Sequence, residues 1–422
     1  MKKNSNFQSK KNSGQKSKPA KARGPVQRDA KEVMAELVAK LSEGLGSKAT
    51  AEKVTEGNRE SALAPNRDRL TVGVDLGDQW SNYCILGLEG ETLVEGQWRT
   101  TPEDVAEFFQ ALSGARVVLE VGTHSAWVQE LVVSCGHEVL VANPRLMDGG
   151  GKKRRKRKND RLDAKKLARI GRVDPQSLFP IRHRSKEVRQ DLVVLRARDA
   201  LVSVRTQLIN TTRGLVKSMG TRLPKCSSPS FPQQVEEALP AELRESLLPL
   251  VRLAEALSDC IQVYDERIEK LGREKYAHTE LLRQVKGVGP LTSLAYVLTL
   301  ENPDRFAKSR DVGPYLGLVP QQEDSGDSQP QLRISKAGDV MLRRLLVGSA
   351  HYILGPFGPD TDLRRYGLRL CERGGKNATK RAAVAVARKL AVLLHRLWVS
   401  GEVYEPLRSA PPAAVTAQEA AA

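Results

Sequence analysis

The sequence offers no close pair of cysteines: Cys84, Cys135, Cys226, Cys260 and Cys371 are scattered through 422 residues, so neither a disulfide framework nor a zinc site is indicated. A reducing cytoplasm fits this usage. No apolar run reaches the length of a membrane span, and the lysine-rich start lacks the apolar core of a secretory signal, so a soluble intracellular protein is expected. Acid is in short supply. Residues 1–28 carry nine Lys or Arg and no Asp or Glu, and over the whole chain 68 Lys and Arg stand against 50 acids, for a net charge of +18. Solubility requires less, so a polyanionic partner is expected, with nucleic acid the leading candidate.

The length allows two or three domains, each with its own core. Residues 1–68 read as a disordered basic arm whose composition cannot bury enough surface to fold. It is either a solvated tail or a non-specific nucleic-acid binder. Within it, Val33, Met34, Leu37, Val38 and Leu41 have the spacing of a short amphipathic helix.

From residue 69 the chain is organised around four acids. Asp75 lies in the apolar run Thr71-Val72-Gly73-Val74-Asp75-Leu76, and Glu120 in Arg116-Val117-Val118-Leu119-Glu120-Val121, so each carboxylate sits where a buried strand is expected. Burying an isolated carboxylate is very costly, and a metal ion or a paired cation is the usual compensation. Asp160 and Asp163 follow in Asn159-Asp160-Arg161-Leu162-Asp163-Ala164, a helix start that puts both acids on one face. Together they would line an oxygen-rich pocket suited to Mg²⁺ and to phosphodiester chemistry. Strands predicted over 71–76, 82–88 and 91–98 make a meander. A helix capped by Thr101 follows, then strand 116–121, helix 125–134 and strand 138–142, which is the order of a ribonuclease-H-like α/β fold.

Just before Asp160 stand seven consecutive cations, Lys152, Lys153, Arg154, Arg155, Lys156, Arg157 and Lys158. Either the run is a solvated loop or it clamps phosphate at the mouth of the pocket. A long helix is predicted from residue 186 to about 219, with Val188, Leu195, Val202, Ile209 and Val216 seven apart and a second row at Val194, Leu201, Leu208 and Leu215. Another apolar stripe runs from Leu250 to Leu271. The two could form an antiparallel coiled coil that pairs subunits, or a plain bundle within one chain. Next, Gly287-Val288-Gly289-Pro290 between helical segments matches a helix-hairpin-helix, whose glycines let backbone N–H groups approach a phosphate; a simple αα-corner would use the same residues. Beyond it 305–317 is only loosely helical and 319–336 polar and irregular, while 340–352 and 376–399 return to helix, so this part of the chain is expected to be all-helical. The last helix sets Arg381, Arg388, Lys389 and Arg396 around an apolar stripe, read as packing with a basic outer face. Residues from 406 form a low-complexity tail.

Taken in order, these motifs resemble the DEDD-type transposases of bacterial insertion sequences, known as bridge-RNA-guided recombinases. The likeness covers roughly residues 69–401. Beyond the acids it includes Val141-Ala142-Asn143-Pro144, Gly317-Leu318-Val319-Pro320, Asp324-Ser325-Gly326-Asp327-Ser328, Ile334-Ser335-Lys336-Ala337-Gly338 and Leu342-Arg343-Arg344-Leu345-Leu346. The resemblance implies a RuvC-like domain whose four acids bind Mg²⁺, with Ser325 as the nucleophile that holds DNA as a phosphoserine. It also implies donor and target DNA, a guide RNA, a tetramer, and a place in the bacterial cytoplasm at the nucleoid. Ser328 is a neighbouring alternative, and Arg333, Lys336 and Arg343 are phosphate-contact candidates. The heavy basic arm and run, and Asp327 where the family often has Gly or Ser, depart from the pattern and bear on substrate handling. The expected domains are 69–185 (RuvC-like), 186–279 (coiled coil) and 280–405 (helical, with the serine). Two rivals stand beside this reading: a RuvC-like nuclease or junction resolvase using metal and water, and a non-catalytic nucleic-acid-binding protein whose acids are caps or ion-pair partners.

Overall fold

A computed structural model describes residues 69–112, 114–147, 160–322, 328, 330 and 332–408. The expected arm, the run of cations at 152–158, Ser325 and the end of the tail lie outside the described residues. The chain divides into two compact units, with the break between His183 and Arg184.

The first unit is a five-stranded sheet in the order β3-β2-β1-β4-β5, from β1 (Thr71–Asp75), β2 (Trp80–Leu86), β3 (Thr92–Arg99), β4 (Arg116–Glu120) and β5 (Glu138–Ala142). The first three strands are antiparallel, whereas β4 pairs parallel to β1 and β5 parallel to β4. The mixed pattern follows from the connections. Short turns join β1, β2 and β3, while the helices α1 (Pro102–Gln110) and α2 (Ser125–Ser134) carry the chain back so that β4 and β5 run with β1. The second strand begins two residues earlier than its apolar pattern indicates, because Trp80 pairs with Arg99.

Alternation sorts each strand between two layers. Val72, Val74, Val117 and Leu119 pack with Phe108, Phe109, Val128 and Val132 of α1 and α2. The other face meets α4 (Asp160–Val173), which follows the short α3 (Pro144–Met147): Val118 packs with Leu167 and Leu178, and Cys84 and Leu86 with Ala164 and Ala168. Gly73 explains how α4 comes so near. A Cβ there would stand 2.1 Å from the Ala164 carbonyl oxygen and 2.4 Å from the Ala168 nitrogen, so only glycine admits the helix.

The second unit is helical: α5 (Lys186–Ser218), α6 (Phe231–Glu236), α7 (Ala241–Glu274), α8 (His278–Arg283), α9 (Pro290–Leu300), α10 (Val312–Tyr315), α11 (Val340–Leu354), α12 (Asp362–Glu372) and α13 (Ala378–Ser400). Ion pairs and hydrogen bonds link Asp191 to Lys275, Arg198 to Asp265 and Arg205 to Ser258, so α5 and α7 run antiparallel against each other within one chain. The row Val188, Leu195, Ile209 and Val216 is buried, whereas in the second row Leu215 is exposed. Helix α7 begins well before the apolar stripe and carries Pro249 inside it. The main core joins the start of α5 with α9, α11 and α13, and all of α9 from Thr292 to Leu300 is buried. No helix among the described residues is long and apolar enough to cross a membrane.

Candidate functional site

Asp75 and Glu120 are the last residues of β1 and β4. They stand one step beyond the parallel pair Val74 and Leu119, on strands about 4.8 Å apart. Both are partly buried rather than enclosed, because each closes its strand instead of lying within it. This corrects the expectation of carboxylates inside buried strands: the apolar run stops one residue earlier in each case. By alternation from Gly73 and Val118, both acids belong to the face that α4 covers.

Helix α4 runs opposite to β1. Ala164 lies over Gly73, and eight residues on, the Arg172 guanidinium donates to the Arg69 carbonyl at 3.3 Å. Two residues along β1 from Gly73 to Asp75 cover about 6.7 Å, and four residues back along the helix from Ala164 to Asp160 cover about 6 Å. The first turn of α4, with Asp160 and Asp163, is therefore level with the acid edge of the sheet. Asp163 is partly buried. The Asp160 side chain is outside the described atoms. Among the described residues no group of three His, Cys, Asp or Glu side chains is gathered closely enough to hold a metal ion.

The two ends of this sheet differ in charge. At the opposite edge Arg116, 2% exposed, bonds Glu138 at 3.1 Å and the Gly171 carbonyl at 3.2 Å. At the acid edge the loop after β4 is built by Ser125, whose hydroxyl accepts from the Gly122 N–H at 3.0 Å and lies 3.0 Å from His183 Nε2. His124 Nε2 faces Asp78 Oδ1 at 3.7 Å across the same edge. Neither histidine stands out in the sequence, because each lies in a stretch with no periodic pattern.

In the second unit, Ser325 lies outside the described residues, and the residues that flank that stretch, 317–321 and 333–336, pair as a narrow hairpin. Gln321 N–H donates to the Arg333 carbonyl, Ser335 N–H to that of Val319, and Lys336 N–H to that of Gly317. Ser328 is exposed. Arg333 and Lys336 are both exposed on the same hairpin. Arg343 is different: 8% exposed, it donates to the carbonyls of Leu316 at 3.0 Å and Ala337 at 2.8 Å, clamping the two arms of the hairpin base. A buried guanidinium holding carbonyls is a structural tie, which differs from the phosphate role expected of it. Gly287 has φ of +96°, and a Cβ there would meet Tyr352 and Ser349 of α11, so helix packing accounts for this glycine. Gly289 opens α9 with free space about its Cα.

The hairpin base also borders a cleft of 1450 Å³, walled by α12, α13 and the turn between them, with Arg333 and Lys336 on its lining. Eleven lysines and arginines line it against two acids, Asp362 and Glu405.

Comparison with known proteins agrees with the motif order. Residues 72–220 match the model of the DEDD transposases of the IS110 type, and residues 279–360 that of the IS116/IS110/IS902 family transposases. The transposase for insertion sequence element IS1111A of Coxiella burnetii is 30% identical over 259 residues, 58% of this chain and 68% of that protein. The chain belongs to the IS110/IS116/IS902 family of insertion-sequence transposases. A probable family 20 transposase of Pseudomonas aeruginosa shares 29% identity over 79% of this chain and 98% of its own length. The transposase for IS1328 of Yersinia enterocolitica shares 26% over 78% and 95%. The two matched segments of this transposase contain the acid edge and the turn between α8 and α9 about Gly287.

Proposed function

We propose that this transposase cuts and rejoins DNA with two groups of residues: Asp75, Glu120, Asp160 and Asp163, which would hold a divalent cation such as Mg²⁺, and Ser325 as the nucleophile. The observation that carries the reading is the position of Asp75 and Glu120, side by side at the same end of adjacent parallel strands, on the face to which α4 brings its first turn. The sheet order, three antiparallel strands followed by two parallel ones, supports a ribonuclease-H-like, RuvC-like fold. Helices α8 and α9 about Gly287 and Gly289 support the helix-hairpin-helix reading, with Gly289 as the glycine open to a backbone phosphate.

A donor set of carboxylate oxygens alone suits a hard cation. When bound, such a cation neutralises charge on the phosphate and assists the weak serine nucleophile. Ser325 Oγ attacks phosphorus, forming an O–P bond and breaking the bond to the neighbouring nucleotide, whose oxygen leaves with a proton. A DNA hydroxyl then attacks the phosphoserine, restoring the serine and closing a new strand. Lys152, Lys153, Arg154, Arg155, Lys156, Arg157 and Lys158, with Arg333 and Lys336, would hold the phosphates. Resemblance adds a guide RNA pairing with donor and target, a tetramer joining the acids of one subunit to the serine of another, and a bacterial cytoplasmic setting at the nucleoid. The working domains remain 69–185, 186–279 and 280–405.

The test is to trap a protein-DNA adduct with an element-end substrate. Wild type should form it and Ser325→Ala should lose both adduct and cleavage. A Ser325→Ala protein that still cleaves would establish the rival metal-and-water nuclease.

A further inference from the structure

The outward stripe of α13 reads in the sequence as an ordinary solvated face, and the fold gives it a different setting. Its opposite side is fixed: Ala382, Ala383, Val386, Ala387, Leu390 and Leu394 are buried, most of them in the main core. Residues 381, 388, 389 and 396 therefore share one face, and all four line the cleft beside the hairpin base. Fifteen residues of helix between Arg381 and Arg396 make the stripe about 22 Å long.

Two features separate this cleft from a surface that is merely basic. It is concave, and its cations outnumber its acids by eleven to two. Arg396 and Arg408 share Glu402, but several of the others have nothing of their own to neutralise: among the described residues Arg333, Lys336, Arg373, Lys380 and Arg388 form no ion pair. Lys389 lies over the Tyr366 ring at 4.0 Å, and Arg381 donates to the Gly374 carbonyl, so these two are held in place without losing their charge. The floor between the cations is apolar, with Leu363, Ala385 and Leu393. Charges left unpaired around a concavity cost self-repulsion, which a polyanion relieves.

We infer that this cleft is a seat for a nucleic-acid phosphodiester backbone, with the α13 stripe tracking about 22 Å of strand beside the hairpin base that carries Arg333 and Lys336. At one phosphate per 3.4 Å along each strand of B-form DNA, that stripe spans about six nucleotides. Arginine and lysine stems and the apolar floor would meet sugar and base faces, and the charged ends the phosphates. The inference rests on the transposase reading for its partner class; Arg333 and Lys336 are shared with the phosphate contacts proposed above, whereas the α13 stripe and the turn before it are distinct from that set.

The experiment measures equilibrium binding of the full chain to labelled oligonucleotides across a salt series. Single-stranded and duplex DNA and RNA form separate arms, because all share the backbone chemistry. The variants are Arg381→Gln/Arg388→Gln/Lys389→Gln and, separately, Ala385→Glu, which places a negative charge on the floor without removing any cation. Melting curves confirm folding. In at least one arm the triple variant should bind at least tenfold more weakly, and its slope of log affinity against log salt should fall by about one for each phosphate no longer neutralised. Ala385→Glu should weaken binding in the same arm. Unchanged affinity and slope in every arm, with both variants folded, would overturn the inference and point to a protein partner for the cleft. Weakened binding with an unchanged slope would also overturn it, since the groups removed would not have been facing phosphate. The adduct assay separates this from the catalytic reading: wild-type adduct with undisturbed binding by the triple variant sinks the cleft alone, and lost binding without any wild-type adduct sinks the serine alone.

Discussion

Among single residues, His137 gives the first unit a response to pH. The ring is 4% exposed, accepts the Ala115 N–H at Nδ1 and, through Nε2, donates to the Phe109 carbonyl at 2.8 Å. Burial lowers its pKa below the usual histidine value. In acid the unfolded chain therefore binds a proton that the folded ring resists, and the Nδ1 acceptor is lost if it is protonated. The contribution is fully present above the unfolded pKa, about 6.5, and declines as pH falls below it. Melting temperature followed from pH 7 to pH 5 should drop more steeply in wild type than in His137→Gln, once each is referred to its own value at pH 7. Parallel curves would show that another group sets the response. Cys84 is a contrasting case: enclosed, and pushed up to about 11 by burial and then by Glu95, its thiol stays protonated and inert near neutrality.

Elements are where the acid edge is assembled, and close packing on a glycine is the means. Gly73→Ala would drive a methyl into the Ala164 carbonyl, so helix α4 must shift off the sheet. Overpacking of this kind costs about 1–3 kcal/mol, and it should also displace Asp160 and Asp163 from the strand-end acids. Denaturant unfolding measures the first effect and DNA cleavage the second; cleavage should fall by more than stability explains. In the second unit, Arg343→Met removes the tie between Leu316 and Ala337. Carbonyls deprived of a buried cation should cost about 3 kcal/mol. By contrast, Asp265→Ala at the partly exposed pair with Arg198 should cost less than about 1 kcal/mol. Equilibrium unfolding of both variants checks that order. Much of this was legible from the chain. Heptad spacing in residues 186–219 and the apolar runs of 71–76 and 116–121 state their elements directly, because the helix buries one stripe and the two strands are buried on both faces. What stayed hidden depended on distant neighbours. Leu215 fits the heptad as well as Val216 does, yet only Val216 is enclosed by a partner, and Arg343 looks like any helical arginine until the hairpin arms converge on it.

For the whole molecule, the likeness to family members spans most of the chain, so the two units belong to one machine. The candidate site was legible as residue types and intervals: Asp75, Glu120 and the Asp160 and Asp163 pair stand out because acids interrupt apolar patterns. The placement of Asp75 and Glu120 side by side at one edge, with the start of α4 level with them, was not, since it follows from parallel pairing of β1 with β4 and from the direction of α4. The cleft was hidden for the same reason, its cations being drawn from the hairpin, the turn after α12, and α13 itself, with Arg310 and Arg408 from elsewhere along the chain. Every step of the proposed chemistry requires that the strand-end carboxylates act jointly on a divalent cation. Titration calorimetry with Mg²⁺ reads that binding without passing through DNA or the serine. Wild type should bind the ion, and Asp75→Asn and Glu120→Gln should each lose that binding while keeping the wild-type circular dichroism and melting temperature. Mg²⁺ binding that persists unchanged in both folded variants would refute the joint role of these acids.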